Sequence, residues 1–221
     1  MKKIMFNDRF GLTKAVLDGT KTMTRRVIPE LLNVEDPDIS EWGLTDGGKA
    51  MITLYEGGRP TTDIFPMYQP GEVVAVAQSY KDAGIDPHFL MFQPIKGSTY
   101  FAEMEIEAMF TGGWNNKMFV RADLMPHQIR ITDIKVERLQ NISDDDVYRE
   151  GFSKNFINNG WGNAAFHEES VLVYYDKLGL TKTIRSIYPK DAFAVLIDKV
   201  SGKGTWESNP WVFAYSFELI K

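Results

Sequence analysis

Large apolar side chains alternate with other residues from 211 to 219, and this spacing constrains the fold more than any other feature of the chain. The alternating residues are Trp211, Phe213, Tyr215, Phe217 and Leu219. Successive side chains of a β-strand point to opposite faces of a sheet, so all five share one face. The segment therefore predicts a strand whose aromatic face lies against a hydrophobic core.

Several other segments have the composition of strands. They are residues 24–28, 73–77, 118–120, 129–139 and 193–197, the last of which is expected to form a hairpin with 211–220. Within 129–139, Ile129 and Ile131 alternate, but the next apolar residue, Ile134, is out of phase by one position. This shift predicts a bend near Asp133, and such bends help a sheet to close into a barrel.

Short helices are predicted between the strands. We expect them after a cap at Asn7 or Asp8, after the N-cap Ser143, and over residues 167–178. Strands that outnumber short helices favour an α+β barrel over a doubly wound parallel sheet. We therefore predict one domain over residues 1–221.

Three insertions are expected in this domain, at about 31–66, 81–116 and 153–184. The first two have weak periodicity and are expected to be irregular, with one hairpin in 31–66. The third begins with an Asn- and Gly-rich stretch, 153–165, that indicates a loop before the helix over 167–178.

Composition and charge exclude several classes of protein. The chain has no cysteine, which excludes disulfides, thiolate catalysis and sulfur-ligated zinc. Its three histidines lie far apart, and we predict no metal and no cofactor. The sequence has neither a signal-peptide pattern nor a long apolar run, so we expect a cytoplasmic protein that does not contact a membrane. The net charge of −5 argues against a protein that coats a nucleic-acid polymer.

Residues 19–26 concentrate hydroxyls and cations. Lys21 and Thr24 can converge if Lys21 lies on a turn before the strand, and Gly19 favours such a turn. A lysine beside a threonine hydroxyl is a possible base and nucleophile if burial lowers the lysine pKa. From the spacing alone, a solvated basic turn before a strand is the interpretation to prefer.

Four blocks of the sequence, in order, resemble the ASCH superfamily, and specifically its longer branch associated with phage and bacterial genomes. The blocks are AVLDGTKTMTRR (15–26), YQPGE (68–72), IKVERLQNIS (134–143) running into REG (149–151), and WESNPWV (206–212). The resemblance implies a PUA-like β-barrel with a cleft that faces RNA or a nucleoside. The resemblance does not extend to the three insertions.

The resemblance also implies site residues. Some small members of the superfamily are amidohydrolases that remove the acetyl group of N(4)-acetylcytidine with a lysine, a threonine and a glutamate. Lys21 and Thr24 match the first two by motif, and Glu150 is the best match for the third. In that scheme Thr24 attacks the acyl carbon, Lys21 takes its proton, and Glu150 orients the lysine or handles the leaving amine.

Four further residues are expected to contact substrate. Arg26 shares the strand face of Thr24, whereas Arg25 points the other way and is expected to matter less. Gln78 lies in the stretch AVAQSY (75–80), where the branch usually carries an arginine and a carboxylate. Trp211 either stacks on a base or belongs to the core.

Three functions therefore remain open. The first is hydrolysis of an acylated nucleoside or a similar small amide. The second is a non-catalytic PUA-like module of phage or mobile-element origin that binds RNA or a modified nucleotide, which the replacements at Ala77 and Gln78 favour. The third is a metal-free nuclease.

Overall fold

The computed structural model describes residues 1–32, 34, 37–39, 43–45, 48–85, 113–158, 166–175 and 180–220. They form a mixed α+β structure with several sheets and few helices. The chain divides into two compact units: unit 1 comprises 1–6, 73–129 and 219–221, and unit 2 comprises 7–72 and 130–218. The single-domain organisation stays a prediction. No helix in the described ranges is long and apolar enough to cross a bilayer.

The strands and helices are numbered in chain order. The strands are β1 (Lys3–Ile4), β2 (Met23–Val27), β3 (Asp38–Ile39), β4 (Gly43–Leu44), β5 (Ala50–Glu56), β6 (Arg59–Ile64), β7 (Val73–Val76), β8 (Gln128–Arg138), β9 (Ser153–Asn158), β10 (Phe166–Tyr175), β11 (Thr181–Ser186) and β12 (Trp211–Leu219). The helices are α1 (Leu12–Leu17), α2 (Asp144–Arg149), α3 (Pro189–Ser201) and α4 (Thr205–Ser208).

The central strands of unit 2 lie in the order β8, β12, β2. β12 and β2 are antiparallel, and Thr24 is in register with Tyr215. The predicted strand at 211–219 is confirmed, but both of its faces are buried from Val212 to Phe217. On the less apolar face, Ser216 Oγ accepts from the guanidinium of Arg149, at the end of α2, at 2.9 Å.

β8 has the change of phase that its sequence predicts. Ile131 and Ile134 are both buried although they lie three positions apart, and Asp133 between them is exposed. Over the part of the chain that the structure describes, the paired strands form open sheets and no closed barrel is found.

The segment 31–66 is more regular than its composition indicates. β5 and β6 form an antiparallel hairpin, which confirms the one hairpin predicted here, and β3 and β4 also pair with β5. Gly57 and Gly58 connect the hairpin with φ values of +58° and +76°. Glycine adopts positive φ without the steric cost that a Cβ would impose, so these two residues fix the turn.

The predicted helix over 167–178 is wrong for 167–175, and its last three residues lie outside the described residues. Residues 166–175 form β10, the middle strand of a sheet in the order β11, β10, β9. Val171 and Val173 lie in this segment, and β-branched residues favour strands. The predicted loop over 153–165 is also wrong for 153–158, which form β9, and its remainder lies outside the described residues.

The predicted strand at 193–197 is also wrong, because these residues belong to α3. Pro189 occupies the first turn, where its fixed φ suits a helix. Phe193, Leu196 and Ile197 are buried at helical spacing along one face. A short apolar run fits either period, and here the length of the surrounding segment favours the helix.

Unit 1 contains β1 and β7, which pair in parallel. Its core includes Ala75, Ala77, Tyr80, Val120 and Met125. The predicted strand at 118–120 is wrong: 117–119 form a 3-10 turn, and the side chain of the preceding Asn116 caps it by accepting from the Met118 N–H. Most of the insertion at 81–116 lies outside the described residues.

Candidate functional site

A turn between α1 and β2 positions Lys21. α1 ends before Gly19, which has a φ of +74°, and the Lys21 N–H donates to the Ala15 carbonyl at 2.9 Å. The next residue, Thr22, donates its N–H to the Arg149 carbonyl at 2.8 Å. Lys21 therefore lies on a turn before the strand, as the sequence predicts, and its backbone is joined to the end of α2.

The C-terminal end of α2 positions Glu150. Ser143 caps the helix by accepting from the Asp146 N–H, and the Glu150 N–H donates to the Asp146 carbonyl at 2.9 Å. Gly151 follows with a φ of +108°, and a Cβ built on it would lie 3.5 Å from the Cβ of Lys21. The chain therefore reverses at a point where the backbone approaches Lys21 closely.

Lys21 and Glu150 are in direct contact. Lys21 Nζ donates to Glu150 Oε2 at 2.5 Å and to the Glu150 carbonyl oxygen at 2.9 Å. The two side chains are 1% and 5% exposed, so water screens this ion pair weakly. The structure brings these two residues of the implied triad together, and their catalytic roles stay predictions.

Arg25 contacts three carboxylates, one of which is that of Glu150. Its Nη1 donates to Glu150 Oε1 at 3.1 Å, and its Nη2 donates to Asp146 Oδ2 at 2.9 Å. Its Nε and Nη2 also donate to Glu137 Oε1, at 3.0 and 2.8 Å. The Arg25 side chain is 1% exposed, so the structure places its guanidinium inside unit 2.

The described ion pairs join four cationic groups to three carboxylates. The cations are Lys21, Arg25, Lys135 and Arg149, and the carboxylates are Glu137, Asp146 and Glu150. We call these seven side chains the buried charge network; Lys135 and Arg149, which are 49% and 38% exposed, form its outer edge. When Lys21 is neutral, the network still has three positive charges for its three negative charges.

Burial lowers the pKa of Lys21 below its ordinary value of 10.5. The negative charge of Glu150 and its hydrogen bond act against this shift, while the positive charges of Arg26 and Arg25 add to it. A lysine that loses its proton more readily is better suited to accept one from a hydroxyl. The electrostatics around Lys21 therefore fit a general base.

Thr24 and Arg26 lie on the other side of β2 from Arg25. Thr24 is buried and in register with Tyr215, whereas Arg26 is exposed, and this pattern fits the alternation of a strand. Burial raises the pKa of Tyr215 to about 12, although the hydroxyl accepts from the Met67 N–H at 3.1 Å and the positive charge of Arg26 acts in the opposite direction.

The remaining predicted residues have partners of their own. Gln78 is buried in unit 1, where its Oε1 lies 2.8 Å from Nδ1 of His127. Trp211 is half-buried in unit 2, and the Arg138 guanidinium lies 4.8 Å from the centre of its ring. Its Nε1 is buried without a hydrogen-bond partner among the described residues. The predicted roles of Gln78 and Trp211 in binding substrate stay predictions.

Sequence reasoning missed four members of the buried charge network, the carboxylates Glu137 and Asp146 and the cations Lys135 and Arg149. The three aspartates at 144–146 indicate no more than the start of a helix, and Asp146 does lie in the first turn, where Ser143 caps it. One signal was available, because Asp146 and Glu150 are four positions apart and such residues share a helix face.

Among the described residues, no group of three His, Asp or Glu side chains is placed to hold a metal ion.

Comparisons with family models, with curated proteins and with solved structures find no match to this chain. Membership of the ASCH superfamily therefore depends on the four sequence blocks and remains a proposal.

Proposed function

We propose that this chain is an ASCH-type protein with a PUA-like core that binds RNA or a modified nucleoside and hydrolyses an N(4)-acylated cytidine-like amide. The observation that supports this proposal best is the direct contact between Lys21 and Glu150, which lie 129 positions apart in the chain. The resemblance implies this pair from the sequence alone. A shared catalytic role accounts for both the motif match and the contact.

The proposed reaction begins with neutral Lys21. Thr24 Oγ forms a bond to the acyl carbon of the amide, and its proton passes to Lys21 Nζ. The bond from the acyl carbon to the cytidine nitrogen then breaks, and the leaving amine takes the proton from Lys21. A water molecule hydrolyses the threonine ester, which releases the carboxylic acid and restores the Thr24 hydroxyl.

Glu150 has a defined part in this scheme. Its Oε2 and its carbonyl oxygen both accept from Lys21 Nζ, so two contacts fix the direction of the ammonium group. General acid–base catalysis needs a group held within hydrogen-bond reach of the proton that it transfers. We therefore assign Glu150 to the orientation of Lys21.

A non-catalytic module that binds RNA or a nucleotide is the alternative, and two observations favour it. Lys21 and Glu150 are almost fully buried, which restricts the approach of a substrate. Gln78, which replaces a charged residue of the branch, is buried and bonded to His127. In this alternative the buried pair stabilises the fold and the exposed Arg26 contacts phosphate.

The test is incubation of the purified protein with a panel of acylated cytidines, followed by chromatography for the free nucleoside and the acid. We expect Lys21→Met to lower the rate by about 10²- to 10⁴-fold, the usual contribution of general acid–base catalysis. Lys14→Met is the matched control, because Lys14 pairs with Asp18 at the surface and is 78% exposed.

Thr24 is tested by two substitutions of different chemistry. Thr24→Ser keeps a hydroxyl and should retain measurable turnover, whereas Thr24→Val keeps the shape and should abolish it. Hydrolysis that persists in Thr24→Val would remove the nucleophile from the scheme. If the wild-type protein turns over no member of the panel but binds cytidine in an NMR titration, the non-catalytic alternative replaces the hydrolase.

A further inference from the structure

The position of Arg25 differs from that of a residue that contacts substrate. In the described hydrogen bonds, its guanidinium donates to Met23 Sδ and to three carboxylates. Its side chain is 1% exposed. Glu150 is the carboxylate that it shares with Lys21: Oε1 accepts from Arg25 and Oε2 accepts from Lys21. One carboxylate thus bridges two cations.

We infer that Arg25 is a positioning residue that fixes the Glu150 carboxylate for Lys21 and balances its charge while Lys21 is neutral. The inference rests on the proposed function, in which Lys21 must lose its proton before Thr24 can react. A buried carboxylate without a cationic partner is costly, because the low dielectric of the interior leaves its charge uncompensated. Arg25 removes that cost at Glu150 Oε1.

The shape of the guanidinium explains why an arginine suits this position. Its planar fork directs separate N–H groups at Glu137, Asp146 and Glu150 at the same time. Arginine also stays protonated over the working range of most enzymes, so its charge is constant while Lys21 changes charge. A lysine in its place is a single point charge and holds fewer carboxylates in fixed geometry.

The charged groups that act on Lys21 are Glu150, Arg26 and Arg25. Removal of Arg25 takes away one nearby positive charge and leaves Glu150 with Lys21 as its remaining described ion-pair partner. Both changes favour the protonated form of Lys21. Neutralising Glu137 has the opposite sign and acts through Arg25: with one carboxylate fewer to hold, Arg25 binds Glu150 more strongly, and Glu150 stabilises the protonated Lys21 less.

The test is the proton affinity of Lys21, measured by NMR titration of protein that carries ¹³C- and ¹⁵N-labelled lysine, with the Lys21 signal assigned from Lys21→Met. We expect Arg25→Met to raise the pKa of Lys21 by about one unit, a tenfold change in proton affinity. Arg130→Met is the control, because Arg130 forms an exposed pair with Glu218 and should leave Lys21 unchanged.

Glu137→Gln provides a second measurement in case Arg25→Met does not fold, since Glu137 is partly exposed and the substitution preserves its size. It should lower the pKa of Lys21. An unchanged Lys21 titration in either folded variant overturns the inference. Because the readout needs no substrate, a protein that fails to hydrolyse acylated cytidines but shows both shifts would refute the proposed reaction and leave the part played by Arg25 intact.

Discussion

Asp146 provides the sharpest test of the buried charge network, because the neighbouring residue is its natural control. Asp146 and Asp145 both lie in the first turn of α2, but Asp146 is buried and Asp145 is exposed. Asp146 Oδ2 accepts from Arg25 at 2.9 Å and its Oδ1 accepts from Arg149 at 3.2 Å. We compare Asp146→Ala with Asp145→Ala.

The expected magnitude follows from the partners that are left behind. Breaking a buried ion pair costs about 3–5 kcal/mol when the other charge stays buried. Arg25 keeps Glu137 and Glu150, so the lower end of that range, about 3 kcal/mol, applies. Both variants lose a carboxylate from the positive end of the helix dipole, worth about 0.3–1 kcal/mol, and both gain the helix propensity of alanine.

The difference between the two variants therefore isolates the buried contacts of Asp146. Urea unfolding at pH 7, followed by tryptophan fluorescence, gives the free energy of unfolding for each variant if the slopes agree. We expect Asp146→Ala to be less stable than Asp145→Ala by about 3 kcal/mol. A difference below about 1 kcal/mol, the value typical of exposed pairs, would show that Asp146 adds little to the network.

Three further predictions concern β2, β12 and the end of α2. Burial raises the pKa of Tyr215 to about 12, so at high pH the folded protein keeps a proton that the unfolded chain loses. The free energy of unfolding should therefore fall by about 2 kcal/mol from pH 10 to pH 12. Tyr215→Phe, followed by urea unfolding across that range, should lack this fall. Arg26→Ala should weaken the binding of a cytidine nucleotide by about 1–3 kcal/mol in calorimetric titration, whereas equal and negligible losses in Arg26→Ala and Arg130→Ala would contradict a binding role. Gly151→Ala should lower the free energy of unfolding by about 1–2 kcal/mol because of its positive φ, with Gly43→Ala as the control without that strain.

The sequence predicts the frame around Lys21 because local signals define it. Gly19 ends the first helix, and Ser143 caps α2, so both supporting turns are readable from residue type. The resemblance added Glu150, which no local pattern joins to Lys21. The partners of Arg25 were not predictable, because strand alternation tells which face a side chain occupies but not which carboxylates the rest of the fold brings there.

The errors in secondary structure have a common physical cause. Residues 193–197 are a short apolar run, and such a run fits a strand or a buried helix equally well until the length of the element is known. Residues 167–178 contain charged and apolar residues that fit a helical period. Over 166–175, however, pairing with β9 and β11 satisfies the backbone as the middle strand of a sheet. The length of the element decided the first case, and tertiary pairing decided the second over local preference.

The pairing of β2 with β12 has a consequence for how the protein forms. Thr24 is in register with Tyr215, so the strand that carries Thr24 and Arg25 has no partner on that edge until residues near 215 are available. At a synthesis rate of about 5–20 residues per second, this interval lasts about 10–40 s. Until then the ribosome-bound chain has to remain soluble with β2 unpaired on that edge. Closure of so long a loop is entropically costly, and we expect the Lys21–Glu150 contact to be protected late in folding.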